Sequence, residues 1–121
     1  MNAINWFEIP TADFTRAVDF YGNVLGIEFH LDDSMPHSRL AVFPHGETGV
    51  GGALAHSPNM KPTAEGTVVY IGTAELDAAL GRVPAAGGAV LMAKTFLGDE
   101  IGHIALIRDS EGNTVGLHQP R

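Results

Sequence analysis

Five side chains in this sequence are of types that could carry chemistry: Trp6, Glu8, Arg39, His103 and His118. A carboxylate such as Glu8 could act as a general base if a structure holds it beside a substrate. Arg39 could grip a substrate carboxylate through two parallel N–H bonds. His103 and His118 could exchange protons near neutral pH, although a single histidine on a strand is more often scaffold. Trp6 could pack in a core or stack on a planar ligand. There are no cysteines, so thiolate metal sites, thiol nucleophiles and disulfides are all excluded. The six histidines form no H-x-x-x-H or similar ligand pair.

Composition limits the classes of partner. Hydrophobic residues make up 45% of the 121 and charged residues 17%, the balance of one ordered domain. The net charge of -7 and the scattered Lys and Arg leave no basic stripe for a phosphate backbone, so nucleic acid is not expected as a partner. The opening MNAINWFEIP lacks the basic and then apolar run of a signal peptide, and no long apolar stretch suggests a membrane span. A cytoplasmic location, without membrane association, is the expectation.

The elements that must position these residues come in two similar sets. Residues 13–25 place Phe14, Ala17, Val18, Tyr21 and Leu25 at three- and four-residue steps, an amphipathic helix with Asp13 to cap it and Gly26 to end it. A second helix is expected over residues 75–83, with Thr73 as N-cap and Pro84 and Gly87 beyond its end. Each is preceded by a strand, at 4–9 and 67–71. Each is followed by three, at 26–31, 38–43 and 50–55, and at 89–94, 102–107 and 114–118. The order is therefore βαβββ twice.

Residue matches support a repeat. Arg39-Leu-Ala-Val-Phe43 parallels His103-Ile-Ala-Leu-Ile107, and GETGVG at 46–51 parallels GNTVG at 112–116 with one residue dropped. A linker with Pro58 and Pro62 separates a first module, residues 1–58, from a second, residues 65–121, within a single domain spanning 1–121. Either half alone would have a marginal core.

The segment WFEIPTADFTRAVDFYGNVLGIEF and the closing GHIALIRDSEGNTVGLHQP together resemble the vicinal oxygen chelate superfamily of glyoxalases, bleomycin-resistance proteins and dioxygenases. The resemblance covers nearly the whole chain and is closest to the lactoylglutathione-lyase-related branch, many of whose members have no assigned reaction. It implies an α+β fold of two tandem βαβββ modules, forming a curved mixed sheet pair around a pocket. On that fold Trp6 and Glu8 face the pocket while Phe7 and Ile9 lie under the helix. Val115 and Leu117 pack, leaving Gly116 and His118 on the inner face. Taking Leu40, Val42, Ile104 and Leu106 as core sends Arg39 and His103 to the inner face or its rim. A one-residue slip would reverse each of these.

Metal-dependent members of the family draw one ligand from the first and one from the last strand of each half. The matching positions here are Trp6 (or Asn5), Gly51, Thr67 and Gly116, none a good ligand. A displaced site from Glu8, His103 and His118 is conceivable, but a pocket with neither metal nor cofactor is the expectation. The resemblance thus implies a protein that binds or transforms a small metabolite or antibiotic, with Glu8 as catalytic candidate and Trp6, Arg39, His103 and His118 as ligand contacts. The alternative is a divalent-metal-dependent lyase, isomerase or dioxygenase with displaced His and Glu ligands. A homodimer is expected, since family members complete their pockets by pairing halves within or across chains. The loops at 32–37 and 95–102 stand at equivalent places and would rim the pocket or meet a second copy. The turn at 109–113 is explained by turn chemistry and is left outside the site.

Overall fold

A computed structural model describes residues 2–121. Met1, where the first module was expected to begin, lies outside the described residues. The first half runs β1 (Trp6–Pro10), α1 (Phe14–Leu25), β2 (His30–Asp32), β3 (Arg39–Val42) and β4 (Gly51–His56). The second runs β5 (Tyr70–Gly72), α2 (Leu76–Ala86), β6 (Ala89–Phe96), β7 (His103–Arg108) and β8 (Thr114–Gln119). Each half forms a four-stranded mixed sheet of the same topology, β1-β4-β3-β2 and β5-β8-β7-β6, with its first strand parallel to its last.

The helix α1 forms as its pattern requires. The Asp13 side chain accepts a hydrogen bond from the Arg16 amide at 3.1 Å, and Gly26, at φ 66°, takes the left-handed turn that ends it. The apolar stripe buries Phe14, Ala17, Phe20, Tyr21 and Val24. The helix α2 departs from expectation at both ends. Its first amide, on Leu76, is capped by Gln119 Oε1 of β8 at 2.9 Å, while the Thr73 hydroxyl accepts from Glu75 N in the preceding turn. At the other end the helix runs on through Pro84 to Ala86, although Pro84 has no N–H to give the carbonyl four residues back, and Gly87 at φ 106° closes it.

One core joins the halves. Ile9 and Leu54 of the first sheet, Ile107, Val115 and Leu117 of the second, and the apolar stripes of both helices form a continuous buried cluster. Small side chains take part in it: Ala41 and Ala105 are fully buried in this cluster. Consequently Leu40 and Val42 fall on the opposite face of the first sheet, where Leu40, Ala53 and Ala55 make a separate cluster. By pairing, Ile104 and Leu106 likewise oppose Ala105 and Ile107. The facing expected for β3 and β7 is thereby reversed: size had been read as burial, but it is the alanines that enter the shared core.

The turn at 109–113 proves to be a clamp between the halves. Asp109, 2% exposed, accepts from the Tyr21 hydroxyl at 2.6 Å and from Asn113 Nδ2 at 2.9 Å. Asn113 Nδ2 also donates to the Pro10 carbonyl, and its Oδ1 accepts from Thr63 N in the linker. Glu111 Oε1 accepts from the amides of Ala12 and Asp13 at 2.8 and 2.6 Å, and its Oε2 from Arg16 Nε at 2.7 Å. This carboxylate therefore sits at the N-terminus of α1, where free amides and the helix dipole favour negative charge. Burial pushes the Glu111 pKa up, but Arg16, the amides of Asp13 and Ala12, and the Ser110 hydroxyl together bring it below the ordinary value. Burial, reinforced by the charge of Asp109, raises the Tyr21 phenol well above its usual range.

Candidate functional site

The first strands β1 and β5 are the inner edges of the two sheets, and a cleft of about 1050 Å³ lies between them. It reaches from Trp6 and Glu8 across to Val68 and Tyr70, and runs back to Leu25 and Ile27 at the end of α1. Its lining is mainly apolar, with threonines and Asn113 as the uncharged polar contributors. Among the described residues Glu8 is the one charged side chain that lines it.

The walls are set by strand register. Trp6 pairs with Gly51 across β1 and β4, and Tyr70 pairs with Gly116 across β5 and β8. In each pair the aromatic ring lies over the glycine of the neighbouring strand. A Cβ on Gly51 would stand 2.9 Å from Trp6 Cζ3, and one on Gly116 would overlap the Tyr70 ring, 2.7 Å from its Cγ. A side chain at either position would have to displace a ring: Trp6 over Gly51, where His45 also stands 3.0 Å from the added Cβ, and Tyr70 over Gly116. Their outer faces remain open, with Trp6 43% and Tyr70 49% exposed. The Trp6 indole N–H donates to Glu8 Oε2 at 3.1 Å, as residues two apart on one strand face can.

The five candidates do not converge. Trp6 and Glu8 line the cleft, and so do Phe7 and Ile9 from the opposite face of β1, because the cleft runs along the edge of that strand. Arg39 lies on the helix side of β3, its guanidinium 4.4 Å from the Phe14 ring centroid and bound to Asp33 at 3.1 Å. His103, also on the helix side, packs against Phe96 with ring centroids 4.9 Å apart, and its buried Nδ1 has no hydrogen-bond partner among the described residues. His118 is on the inner face of β8 but meets the Ile101 carbonyl instead of the cleft. Neither loop, 32–37 or 95–102, contributes to the lining. Tyr70 was missed, because the first strand of the second half was aligned three residues too early, at Thr67. The signal was present in the repeat: the partner of Gly116 must be the counterpart of the partner of Gly51.

The residues at the family's ligand positions do not fit a metal ion. By register these are Trp6, Gly51, Tyr70 and Gly116, two glycines and two rings that cover them, and a divalent ion needs converging oxygen, nitrogen or sulfur donors. Among the described residues no three His, Asp or Glu side chains gather into a group that could hold one. Glu8, His103 and His118 are thus not assembled as a donor set.

Comparison with known proteins agrees with this architecture. The family model for the Glyoxalase/Bleomycin resistance protein/Dioxygenase superfamily matches residues 3–117. CFP32 of Mycobacterium bovis, which carries glyoxylase in its name, is 32% identical over 120 residues, or 95% of this chain. This chain spans only 44% of that protein. A glyoxylase-like domain-containing protein of Didymella fabae is 28% identical, covering 92% of this chain and 88% of that one. Among solved structures, a glyoxalase/bleomycin resistance protein from Albidiferax ferrireducens superposes with a TM-score of 0.71 at 16% identity, covering 99% and 100% of the two chains. TnmS3, an antibiotic binding protein from a Streptomyces species, gives 0.65 at 25% identity over 100% and 98%. With its two βαβββ halves and a family match over nearly its full length, the chain belongs to the glyoxalase/bleomycin resistance protein/dioxygenase superfamily.

Proposed function

We propose that this protein binds a small metabolite or antibiotic in the cleft between β1 and β5, and does so without a metal ion. The observation that carries this reading is the replacement of the four ligand positions by two ring-on-glycine pairs, Trp6 on Gly51 and Tyr70 on Gly116. A mainly apolar cleft with a few polar groups is the usual form of a small-molecule site. The likeness to TnmS3 supports antibiotics as one class to screen. If the ligand is also transformed, Glu8 is the group placed to act as base, with Trp6 orienting it. Arg39, His103 and His118 would then act outside the cleft as it stands in one chain.

A homodimer in the cytoplasm is part of this proposal. Phe96, Leu97 and Ile101 expose apolar surface around the 95–102 loop that a second copy would cover. No described helix is long and apolar enough to cross a membrane.

The test is a thermal-shift screen of metabolites and antibiotics beside nickel, zinc, manganese and iron(II) salts. An organic ligand should stabilise the protein with no divalent ion present. Stabilisation by divalent ions alone, or a stoichiometric metal in protein purified without an affinity tag, would overturn the reading in favour of a metal-dependent lyase, isomerase or dioxygenase.

A further inference from the structure

We infer that the cleft selects a flat ligand bearing a cationic or N–H donor group, stacked on Trp6 and Tyr70 and read by Glu8; this rests on the binding function proposed above. The two rings stand on the facing first strands of the two sheets and line one cleft. Each is backed by a glycine that lets it settle against its own sheet, leaving the outer face free. Flat apolar surface is therefore offered from both halves, and aromatic faces attract flat rings and cations alike.

The charge at this site has one sign. Among the described residues Glu8 is the one charged residue of the lining, and no described Lys or Arg lines the cleft to answer an anion. Among the described residues no cation pairs with Glu8. An ionised carboxylate accepts at two oxygens with about four lone-pair sites. The Trp6 indole N–H uses one of them, at Oε2, and holds the carboxylate beside the ring. A ligand stacked on Trp6 would thus bring a peripheral N–H within reach of the remaining acceptors, a charge-assisted bond. The net charge of -7 strengthens the same preference at longer range.

Trp6 is the single tryptophan of the chain, so its intrinsic fluorescence reports on this wall directly. Three probes of one tricyclic shape separate the contributions at mildly alkaline pH: 9-aminoacridine as cation, acridine as neutral ring and acridine-9-carboxylate as anion. Saturable quenching, checked by calorimetry, should show the cation binding about tenfold tighter than the neutral ring, with the anion weakest. Glu8→Gln and Glu8→Ala should each remove the cation's advantage and leave acridine unchanged, while Tyr70→Leu should weaken all three alike. An anion that binds as tightly as the cation, or a preference that survives both Glu8 substitutions, would overturn the inference. If none of the three probes binds while a screened compound stabilises the protein, the inference fails and the binding function stands. If no probe and no screened compound binds, both fail.

Discussion

The ring-on-glycine pairs can be tested by stability before any ligand is known. Gly116 is not at a positive φ, so alanine is compatible with the backbone there. The obstacle is steric alone: the new methyl would overlap the Tyr70 ring, reaching 2.7 Å from Cγ, and since this is the root of the ring the side chain must swing away about χ1. Displacing it gives up the ring's contact with the strand, and forced packing of this kind costs about 1–3 kcal/mol. The lower part of that range applies, about 1–2 kcal/mol, because the ring is already half exposed and can move into the cleft. For a chain of this size, that lowers Tm by about 4–8 °C. In a Tyr70→Ala background the methyl meets no ring, and Gly116→Ala should be neutral or stabilising by up to about 1 kcal/mol, since alanine costs less conformational entropy than glycine. The assay is a double-mutant cycle by urea and thermal unfolding, and the coupling should be about 1–3 kcal/mol. Equal effects of Gly116→Ala in the two backgrounds would refute the claim that the ring occupies this space.

Further predictions concern the clamp between the halves. Glu111→Ala should cost about 2 kcal/mol in urea unfolding, by freeing the Ala12 and Asp13 amides that lead into α1 and the Arg16 guanidinium. Because the folded-state pKa of Glu111 lies below its ordinary value of 4.5, its stabilisation is present above that value and is lost as pH falls through the folded pKa. Glu111→Gln should therefore flatten the acid limb of the stability profile, and an unchanged acid limb would count against the clamp. Tyr21 has the opposite sign. Its phenol is raised above its ordinary value of 10.0, so its contribution is intact below that pH and falls as pH rises through the gap, a loss that Tyr21→Phe should abolish. The same substitution at neutral pH removes one of the bonds to buried Asp109 and should cost about 1–3 kcal/mol. Sedimentation at micromolar concentration should give a dimer, and a monomer there would contradict the proposed assembly.

Much of this molecule is legible in its residues because local pattern and local chemistry agree. The stripe from Phe14 to Val24, with Asp13 and Gly26 at its ends, needs no tertiary information to become a helix. The repeat of βαβββ and the family follow from strand order and from motifs at both ends of the chain. The alternation in Trp6-Phe7-Glu8-Ile9 pairs a polar face with an apolar one, so β1 shows its own orientation.

Other features required the assembled sheets. The strands β3 and β7 carry apolar residues on both faces, Leu40, Ala41 and Val42 in one and Ile104, Ala105 and Leu106 in the other, and alternation without contrast cannot say which side meets a helix. Close packing decided it, by placing the alanines inward and carrying Arg39 and His103 away from the cleft. The turn at 109–113 was readable as a turn, yet its carboxylates satisfy groups on Ala12, Asp13 and Tyr21, which only folding brings near. That the metal-ligand positions on the last strands, Gly51 and Gly116, hold no donor is readable from residue type alone. Why glycine stands there emerges from the paired strands: register sets a ring on each, and the pairing of Tyr70 with Gly116 is a contact between residues 46 positions apart that no local pattern contains.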